Sequence, residues 1–400
     1  MKNIAIIVPS LNSGGAERTA ANISNFLVGD YNVHLIVFSA DEVKYPFSGK
    51  LHVIDLPFRK SIFGKLVNLY RRIKCVAKIK KDEKIDISIS LMLGPNLVNV
   101  ITKKRDVVLV SIRNHMSLVK MKNYLYSFAF GKIIKVVCDK SDKTICLSKG
   151  VEKDLIEHFG ANRNKMVTIY NPCDVNVLLN ATSDAQKQIE MDALSVTTMG
   201  RLATQKGQWL LIRAFSSVLK TIPNAKLFVF GEGPLENNLK NLARKLEIEN
   251  NVFFCGFVKA PHKYIKNSRL FVFPSLFEGL GNVLIEAMAC GVPCVSTDCL
   301  SGPREIIAPK TKYVGLFDEP EYAKYGVLVC SKENSAVKWD GPLNETECQL
   351  ADVIVNFLRD DALWQKYHLA SLKRASDFSY ENIKSDWIAL INSVAGSCQE

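Results

Sequence analysis

The stretch Leu270–Gly291, LFVFPSLFEGLGNVLIEAMACG, shows how this chain is built. Its first four residues are all apolar, which is typical of a parallel strand that is buried on both faces. A glycine-rich loop follows, Asn282 is predicted to cap the next helix, and Gly291 is predicted to end it. A strand, a loop and a helix in this order indicate one repeat of a parallel α/β sheet.

The same succession of strand and helix recurs in two series along the 400 residues. The predicted strands are Ile4–Val8, Val33–Phe38, Leu51–Asp55, Ile85–Ser90, Val107–Ile112, Thr144–Leu147 and Val167–Tyr170, then Leu194–Thr198, Lys226–Phe230, Val252–Cys255, Leu270–Phe273, Pro293–Ser296 and Val327–Val329. Two such series predict an α/β protein with two Rossmann-like, doubly wound parallel-sheet domains. Because ligands bind at the carboxyl ends of strands in these sheets, we expect a cleft between the domains.

The boundaries between these domains are predicted from composition. Asn171-Pro172 ends the first series, and the polar segment Asn180–Asp192 is interpreted as a linker with a short helix. The tail Tyr380–Val394 has the apolar spacing of one amphipathic helix. We therefore divide the chain into three parts, 1–178, 179–378 and 379–400.

The charge of the chain is unevenly distributed. The net charge is +12, but residues 1–175 hold 28 Lys and Arg against 15 Asp and Glu, a net of +13. This bias favours an anionic partner for the first domain, and a gain in solubility is the alternative explanation.

Cysteine usage and hydropathy exclude several classes of protein. The eleven cysteines include no C-x-x-C pair, and the six histidines are dispersed, so we expect reduced thiols and no structural metal. No apolar run reaches the length of a membrane span, and the N-terminus lacks the pattern of a signal peptide. We expect a soluble or peripheral protein on the cytoplasmic side.

Glycines follow several of the predicted strands. Gly14 and Gly15 lie between the first strand and a helix. This pattern is typical both of a tight turn and of a ligand-binding loop. Gly231 follows the strand Lys226–Phe230 in a similar turn. Phe257 and Val258 follow the next strand, where backbone amides can bind the edge of a base.

Charged residues near two other strand ends suggest a site for a phosphorylated, hydroxyl-rich ligand. Arg201 and Lys206 follow the strand Leu194–Thr198 and have the spacing of a diphosphate clamp, although two solvated cations are the alternative. Glu278 precedes the glycine loop and Glu286 lies in the helix after it. The amides of Gly279, Gly281, Asn282, Val283 and Leu284 would then face an anion between the two carboxylates.

These motifs together resemble a known family. They are Gly14-Gly15, Gly200-Arg201, Lys206-Gly207, Gly231-Glu232-Gly233 and the E-x7-E pair Glu278 and Glu286. Their order and spacing, over nearly the whole chain, are similar to those of the retaining glycosyltransferases with the GT-B fold that are usually called family 4. The resemblance also implies bacterial assembly of O-antigen, capsule or other lipid-linked glycans.

The resemblance implies a role for each motif. Arg201 and Lys206 would bind the diphosphate of a UDP-sugar and stabilise the leaving group, Glu286 the ribose, and Glu278 the hydroxyls of the donor sugar. Amides of Gly281 to Leu284 would contact phosphate. Gly14 and Gly15 would approach donor and acceptor, Phe257 and Val258 would line the base, and the C-terminal helix would cross back to the first domain.

One position departs from the pattern of the family. Many relatives place a histidine after the fifth strand of the first domain, whereas here the order is Arg113-Asn114-His115. We assign the position to Arg113, leave the role of His115 open, and place Asn114 and His115 on the acceptor side.

The resemblance also implies a mechanism without a metal cofactor. No two aspartates are separated by exactly one residue, so the D-x-D metal motif is missing. Arg201, Lys206 and helix amides would meet the charge of the diphosphate instead. The anomeric configuration of the sugar would be retained because the nucleotide departs from the same face of the sugar that the acceptor attacks. An enzyme nucleophile would not be needed.

Two stretches in which basic residues are mixed with apolar ones bear on what kind of acceptor the first domain binds. The stretch Arg59–Lys84 carries ten Lys and Arg and two acids, and Lys120–Lys143 has a similar mixture. A membrane-facing surface and a core stripe with a solvated basic face explain this composition equally well. We expect an anionic membrane surface and a polyprenyl-diphosphate-linked glycan as partners, and no nucleic acid. A nucleotide-sugar epimerase of the same fold and a non-catalytic polyanion-binding protein are the alternatives.

Overall fold

The computed structural model of the chain describes residues 1–12, 14–39, 43–57, 61–119, 124–174, 189–312, 317–331 and 339–395, with the backbone alone for 124–127. The chain divides into two compact units. Unit 1 comprises Met1–Asn171 and the C-terminal segment that begins at Glu381, and unit 2 comprises Pro172–Tyr380.

Unit 1 is built on a parallel sheet of seven strands in the order β3-β2-β1-β4-β5-β6-β7. The strands are β1 Asn3–Val8, β2 Asn32–Val37, β3 Lys50–Val53, β4 Ile87–Leu91, β5 Val107–Ile112, β6 Lys143–Cys146 and β7 Met166–Thr168. The helices are α1 Gly15–Leu27, α2 Ile62–Asp82, α3 Leu93–Ile101, α4 Tyr124–Lys140 and α5 Lys149–Phe159. The strand order reverses between β1 and β4, which is the usual ligand position in an open α/β sheet.

Unit 2 repeats this plan, with seven strands in the order β10-β9-β8-β11-β12-β14-β13. The strands are β8 Ser195–Met199, β9 Lys226–Phe230, β10 Val252–Gly256, β11 Leu270–Phe273, β12 Cys294–Thr297, β13 Glu321–Tyr322 and β14 Val327–Val329. The helices are α6 Gln208–Thr221, α7 Glu236–Lys245, α8 His262–Ile265, α9 Asn282–Ala289, α10 Pro303–Ile307, α11 Glu345–Arg359 and α12 Asp361–Ser376. A last helix, α13 Tyr380–Ala395, follows. The order reverses between β8 and β11.

The core of unit 2 shows why these residues form these elements. The strands β8, β9 and β11 are almost completely buried, as continuous apolar strands require. Trp209 of α6 is buried in the same core. Next to it, the Arg213 guanidinium pairs with Glu347 of α11 at 2.7 Å, and both side chains are 1% exposed. This buried pair fixes one helix against the other, since either charge alone would be costly at that depth.

The structure confirms the two-domain α/β fold, and each of the thirteen predicted strands has a counterpart in it. The predicted tail helix corresponds to α13, whose Ile383, Trp387 and Ile391 are buried. The sequence missed β13, a strand of two residues that pairs antiparallel with β14. The interpretation of Asn180–Asp192 falls largely on residues 180–188, which lie outside the described residues.

The predicted cap of α9 is wrong by one residue. Gly281 occupies the cap with a left-handed backbone (φ 91°), and Asn282 is the first residue of the helix. Glycine adopts this conformation without a steric penalty, whereas asparagine does so at some cost. Gly291 follows the helix in the left-handed conformation (φ 74°), which confirms the predicted stop.

Two further sequence expectations can be compared with the described residues. The ten described cysteines are free thiols, and seven of them are buried. None of the helices in the described ranges is both long enough and apolar enough to cross a membrane.

Candidate functional site

The charged residues predicted in unit 2 follow two adjacent strands, β8 and β11. Arg201 and Lys206 come after β8, whereas Glu278 and Glu286 come after β11. These strands are neighbours at the point where the strand order reverses. The carboxyl edge of the sheet therefore brings both pairs of residues to the position where α/β proteins bind their ligands.

Lys206 and Glu278 form an ion pair at this edge. Lys206 Nζ donates to Glu278 Oε1 at 2.5 Å and lies 5.4 Å from the ring centroid of Phe273. Glu278 is only 7% exposed. The carboxylate thus keeps the ammonium in place, while Arg201 is exposed to solvent.

The loop that carries Lys206 is fixed by backbone contacts. Gln205 Nε2 donates to the carbonyl of Phe277 at 2.9 Å, and the amide of Leu276 donates to the carbonyl of Gln205 at 2.8 Å. Gly207 has φ +61°, and a Cβ at this position would lie 2.0 Å from the carbonyl oxygen of Pro274. Only glycine fits here, so the two loops approach each other closely enough for the ion pair to form.

Turns after β8, β9 and β10 pack on one another through glycines. A Cβ on Gly231, which has φ +123°, would lie 2.1 Å from the carbonyl oxygen of Gly200, and the Gly231 amide donates to the carbonyl of Gly256 at 2.9 Å. Phe257 follows, 72% exposed, and its amide donates to Glu232 at 3.1 Å. Val258 is half-buried. The predicted base-binding segment is therefore held by Glu232, which the sequence analysis had not assigned a role.

The helix α9 begins beside this group with its first amides at the carboxyl edge. Gly279, Gly281, Asn282, Val283 and Leu284 form the loop and the first turn. Leu284 is completely buried, and its backbone amide donates to the carbonyl of Gly281 at 2.9 Å. The positive end of the helix dipole favours an anion at this end of the helix.

Glu286, one turn further along α9, has a partner that the sequence did not predict. His262 Nε2 lies 3.1 Å from Glu286 Oε2, and the imidazole is 8% exposed. His262 belongs to the short helix α8, which follows β10. The only signal in the sequence was its place a few residues after a strand end, which does not show which side chain it meets.

In unit 1, Arg113 is a buried cation at the end of β5. Its Nη2 donates to Thr19 Oγ1 at 3.0 Å and to Asn171 Oδ1, while its Nη1 has no hydrogen-bond partner. The side chain is 8% exposed, and burial lowers the pKa of Arg113 to about 10, so that it keeps its charge at neutral pH. A buried guanidinium that donates to a neutral hydroxyl and a neutral amide is suited to receive an anion.

His115, two residues after Arg113 in the sequence, belongs to a loop that Asp154 fixes. Asp154 Oδ2 accepts from the amides of Met116 and Ser117 at 2.7 and 3.2 Å. The Nδ1 atoms of His115 and His158 each lie 3.2 Å from Asp154 Oδ1. His115 is buried and Asn114 is exposed, so of these two only Asn114 presents its side chain to solvent.

Gly14 and Gly15 are exposed at the start of α1, after β1. The hydroxyl of Thr19 donates to the carbonyl of Gly15 at 2.8 Å. Thr19 therefore connects the glycine turn with Arg113. Within unit 1, the structure brings the predicted glycines and the predicted arginine to the same carboxyl edge, across the reversal between β1 and β4.

Comparison with known proteins agrees with this geometry. The chain matches the model of the glycosyl transferases group 1 at residues 179–324 and that of glycosyltransferase family 4 at residues 13–177. It is 32% identical to an uncharacterized glycosyltransferase of Methanocaldococcus jannaschii, over 92% of this chain and 90% of the relative. It is also 30% identical to a Campylobacter jejuni enzyme, over 96% of this chain and 98% of the relative. That enzyme is named N-acetylgalactosamine-N,N'-diacetylbacillosaminyl-diphospho-undecaprenol 4-alpha-N-acetylgalactosaminyltransferase.

Solved structures share the fold. HepE of Anabaena in complex with UDP superposes with a TM-score of 0.72 at 18% identity, covering 98% of this chain and all of that one. Sucrose-phosphate synthase of Thermosynechococcus elongatus superposes with a TM-score of 0.75 at 17% identity, covering 99% of this chain and all of that one. The two family models, together with the relatives that the chain matches along most of its length, show that the chain belongs to the group 1 glycosyltransferases of the GT-B fold.

Proposed function

We propose that this glycosyltransferase moves a hexose or an N-acetylhexosamine from a UDP-sugar to a polyprenyl-diphosphate-linked glycan, with retention and without a metal cofactor. The observation that carries the proposal is the pairing of Lys206 with Glu278 beside the start of α9. A cation, a carboxylate and the positive end of a helix at one strand edge match a ligand that joins a diphosphate to a sugar.

In the proposed reaction, the protein stabilises charge rather than forming a covalent bond. Lys206 and Arg201 would bind the diphosphate as the bond to the sugar breaks, and the amides of α9 would share its charge. Glu278 would give up its ion pair with Lys206 and accept hydrogen bonds from the sugar hydroxyls instead. Glu286 would bind the ribose. The departing phosphate would take the proton of the acceptor hydroxyl on the same face, so the anomeric configuration is kept.

Two relatives and one side chain support a lipid-diphosphate acceptor. The Campylobacter relative described above and a second one, 25% identical over 98% of this chain, are both named for undecaprenol-linked acceptors. Arg113 offers a buried guanidinium whose Nη1 lacks a partner. It would bind an anionic group of the donor or the acceptor, with Asn114 and the loop around His115 at the acceptor side.

The surface of α2 supports a peripheral place on the cytoplasmic face of a membrane. Its second half packs on the core of unit 1 through Leu69, Ile73, Val76 and Ile79. Its first turns instead expose an apolar strip of Ile62, Phe63, Leu66 and Tyr70, each between 57% and 77% exposed. Lysines and arginines flank this strip. The core explanation accounts for the second half of the helix, and the exposed apolar strip on its first turns supports the proposed membrane-facing surface.

Turnover across a panel of UDP-sugars tests the transferase. The assay measures UDP release with a polyprenyl-diphosphate-linked glycan, in EDTA, for wild type, Glu286→Ala and the exposed control Glu249→Ala. We expect one sugar to support EDTA-insensitive turnover that Glu286→Ala loses and Glu249→Ala keeps. Strict dependence on a divalent cation, or UDP release that does not require the acceptor, would contradict the proposal.

Sedimentation with anionic vesicles tests the membrane surface. Replacing Phe63 and Leu66 by serine should release the protein, whereas Leu369→Ser, which changes a 58% exposed leucine of unit 2, should not. Absence of binding by the wild type at low salt would refute the docking surface.

A further inference from the structure

Three metal-binding side chains meet in unit 1, away from the predicted site. His34 belongs to β2, His52 to the neighbouring β3, and Glu83 is the cap residue at the end of α2. His34 Nδ1 lies 3.1 Å from His52 Nε2, and each of these nitrogens lies 3.9 Å from an oxygen of Glu83. Parallel pairing creates the group, because it places His52 opposite Ile36, two residues from His34 on the same face of the sheet.

These distances suit a metal ion. A tetrahedral zinc ion bound at about 2.0–2.1 Å separates its ligand atoms by about 3.3 Å. The two imidazole nitrogens, 3.1 Å apart, already have nearly this spacing, whereas the Glu83 oxygens, each 3.9 Å from a different nitrogen, would move closer on binding. Neutral imidazole and carboxylate are the ligand forms that zinc binds.

We propose that His34, His52 and Glu83 bind a divalent transition-metal ion of the zinc class. An open depression of about 540 Å³, lined by His34, Lys50 and Glu83 among others, adjoins the group, so a water molecule can reach the ion as its fourth ligand. The inference goes beyond the transferase activity and does not depend on it.

The place of the group in the sheet indicates a structural ion. Glu83 lies beside the start of β1, where Asn3 Nδ2 donates to its carbonyl at 2.9 Å. This is the amino end of the sheet, opposite to the carboxyl edge that holds Gly14 and Arg113. The ion would tie the edge strand β3 and the end of α2 to β2, and so stabilise unit 1.

Lys50 would compete with the ion for Glu83. Its Nζ donates to Glu83 Oε1 at 2.7 Å, and its side chain is 62% exposed. The ammonium can therefore turn into solvent when a metal binds. Removing this competing charge should strengthen metal binding, whereas removing a ligand should weaken it.

Titration of the chelator-treated full chain with Zn²⁺ and Co²⁺ tests the site. We expect one tetrahedral cobalt spectrum without a thiolate charge-transfer band, and a melting temperature that zinc raises. His52→Ala and Glu83→Gln should each weaken binding by at least about 100-fold, and Lys50→Met should strengthen it. The control His158→Ala, which changes an exposed histidine, should leave the affinity unchanged.

Two results would overturn the site. Zinc affinity that His52→Ala and Glu83→Gln leave unchanged would place the metal elsewhere, for instance on cysteines, which a thiolate band would reveal. A loss of stability in His52→Ala that is equal with and without zinc would mean that the imidazoles share only a hydrogen bond. Glu83→Gln keeps the result interpretable if His52→Ala fails to fold. Neither donor nor acceptor is present, so the outcome is independent of the transferase proposal.

Discussion

The carboxyl edges of the two sheets differ in how their charges are balanced. In unit 2, Lys206 pairs with Glu278, and Glu286 has His262 as a neighbour. In unit 1, Arg113 is buried and donates to the neutral hydroxyl of Thr19 and the neutral amide of Asn171. The first edge can hold its side chains in place before a ligand arrives. The second keeps a cation at a cost in stability, and an anionic ligand would offset that cost.

We expect the largest effect from a substitution that removes the Lys206–Glu278 ion pair at the carboxyl edge of unit 2. Lys206→Ala should slow turnover by about 100–1000-fold, because the leaving diphosphate loses a positioned cation. Steady-state UDP release measures this, with the exposed Lys220→Ala as the control. Turnover of Lys206→Ala within a factor of a few of wild type would assign charge stabilisation to Arg201 and α9 instead.

The second-largest effect is expected from a substitution that disturbs the close packing of loops at the carboxyl edge of unit 2. Gly207→Ala should reduce the free energy of unfolding by about 2–4 kcal/mol, since the new Cβ requires a strained backbone and a shift of the Pro274 carbonyl. Gly15→Ala is the matched control in unit 1, where a Cβ meets nothing within 4 Å. Denaturant unfolding compares the two variants, and equal stabilities would contradict the close approach of the loops.

Arg113→Met sharpens the comparison, because it should change stability and activity in opposite directions. Removal of the buried cation should raise the free energy of unfolding by about 1–2 kcal/mol, while kcat/KM falls by at least about tenfold. Chemical denaturation and initial rates measure the two quantities. A variant that loses stability together with activity would show that Arg113 holds the fold rather than a ligand.

The smallest expected effect tests His262 as a positioning residue. His262→Ala should raise KM for the UDP-sugar by about 5–10-fold with little change in kcat, because Glu286 loses one hydrogen bond of about 1 kcal/mol. His262→Gln, which can still donate to the carboxylate, should restore most of the binding. A fall in kcat alone, or a failure of His262→Gln to rescue KM, would contradict this role.

Local patterns predicted most of the fold and part of the candidate site. Buried parallel strands are continuous apolar runs, so their positions followed from the sequence, whereas β13 is too short to have a pattern. Glycines, cations and glutamates that follow strands were found because the carboxyl edge collects them.

Contacts between distant residues could not be predicted in this way. His262 meets Glu286, and Asn171 meets Arg113, only after the chain has folded. The histidines seemed dispersed in the sequence, yet the register of β2 and β3 brings His34 and His52 together. The cap of α9 was predicted wrongly because a preference for asparagine says nothing about the left-handed backbone that the loop requires at Gly281.

The path of the chain has a consequence for synthesis on the ribosome. The helix α13 follows all of unit 2, yet its residues from Glu381 belong to unit 1, where Ala395 accepts from Lys2 and Asn392 from Tyr31. Translation must therefore produce more than 200 residues of unit 2 before unit 1 receives this helix and its buried Trp387. Until then, the apolar surface that the helix covers is exposed on the nascent chain, where a chaperone can bind it.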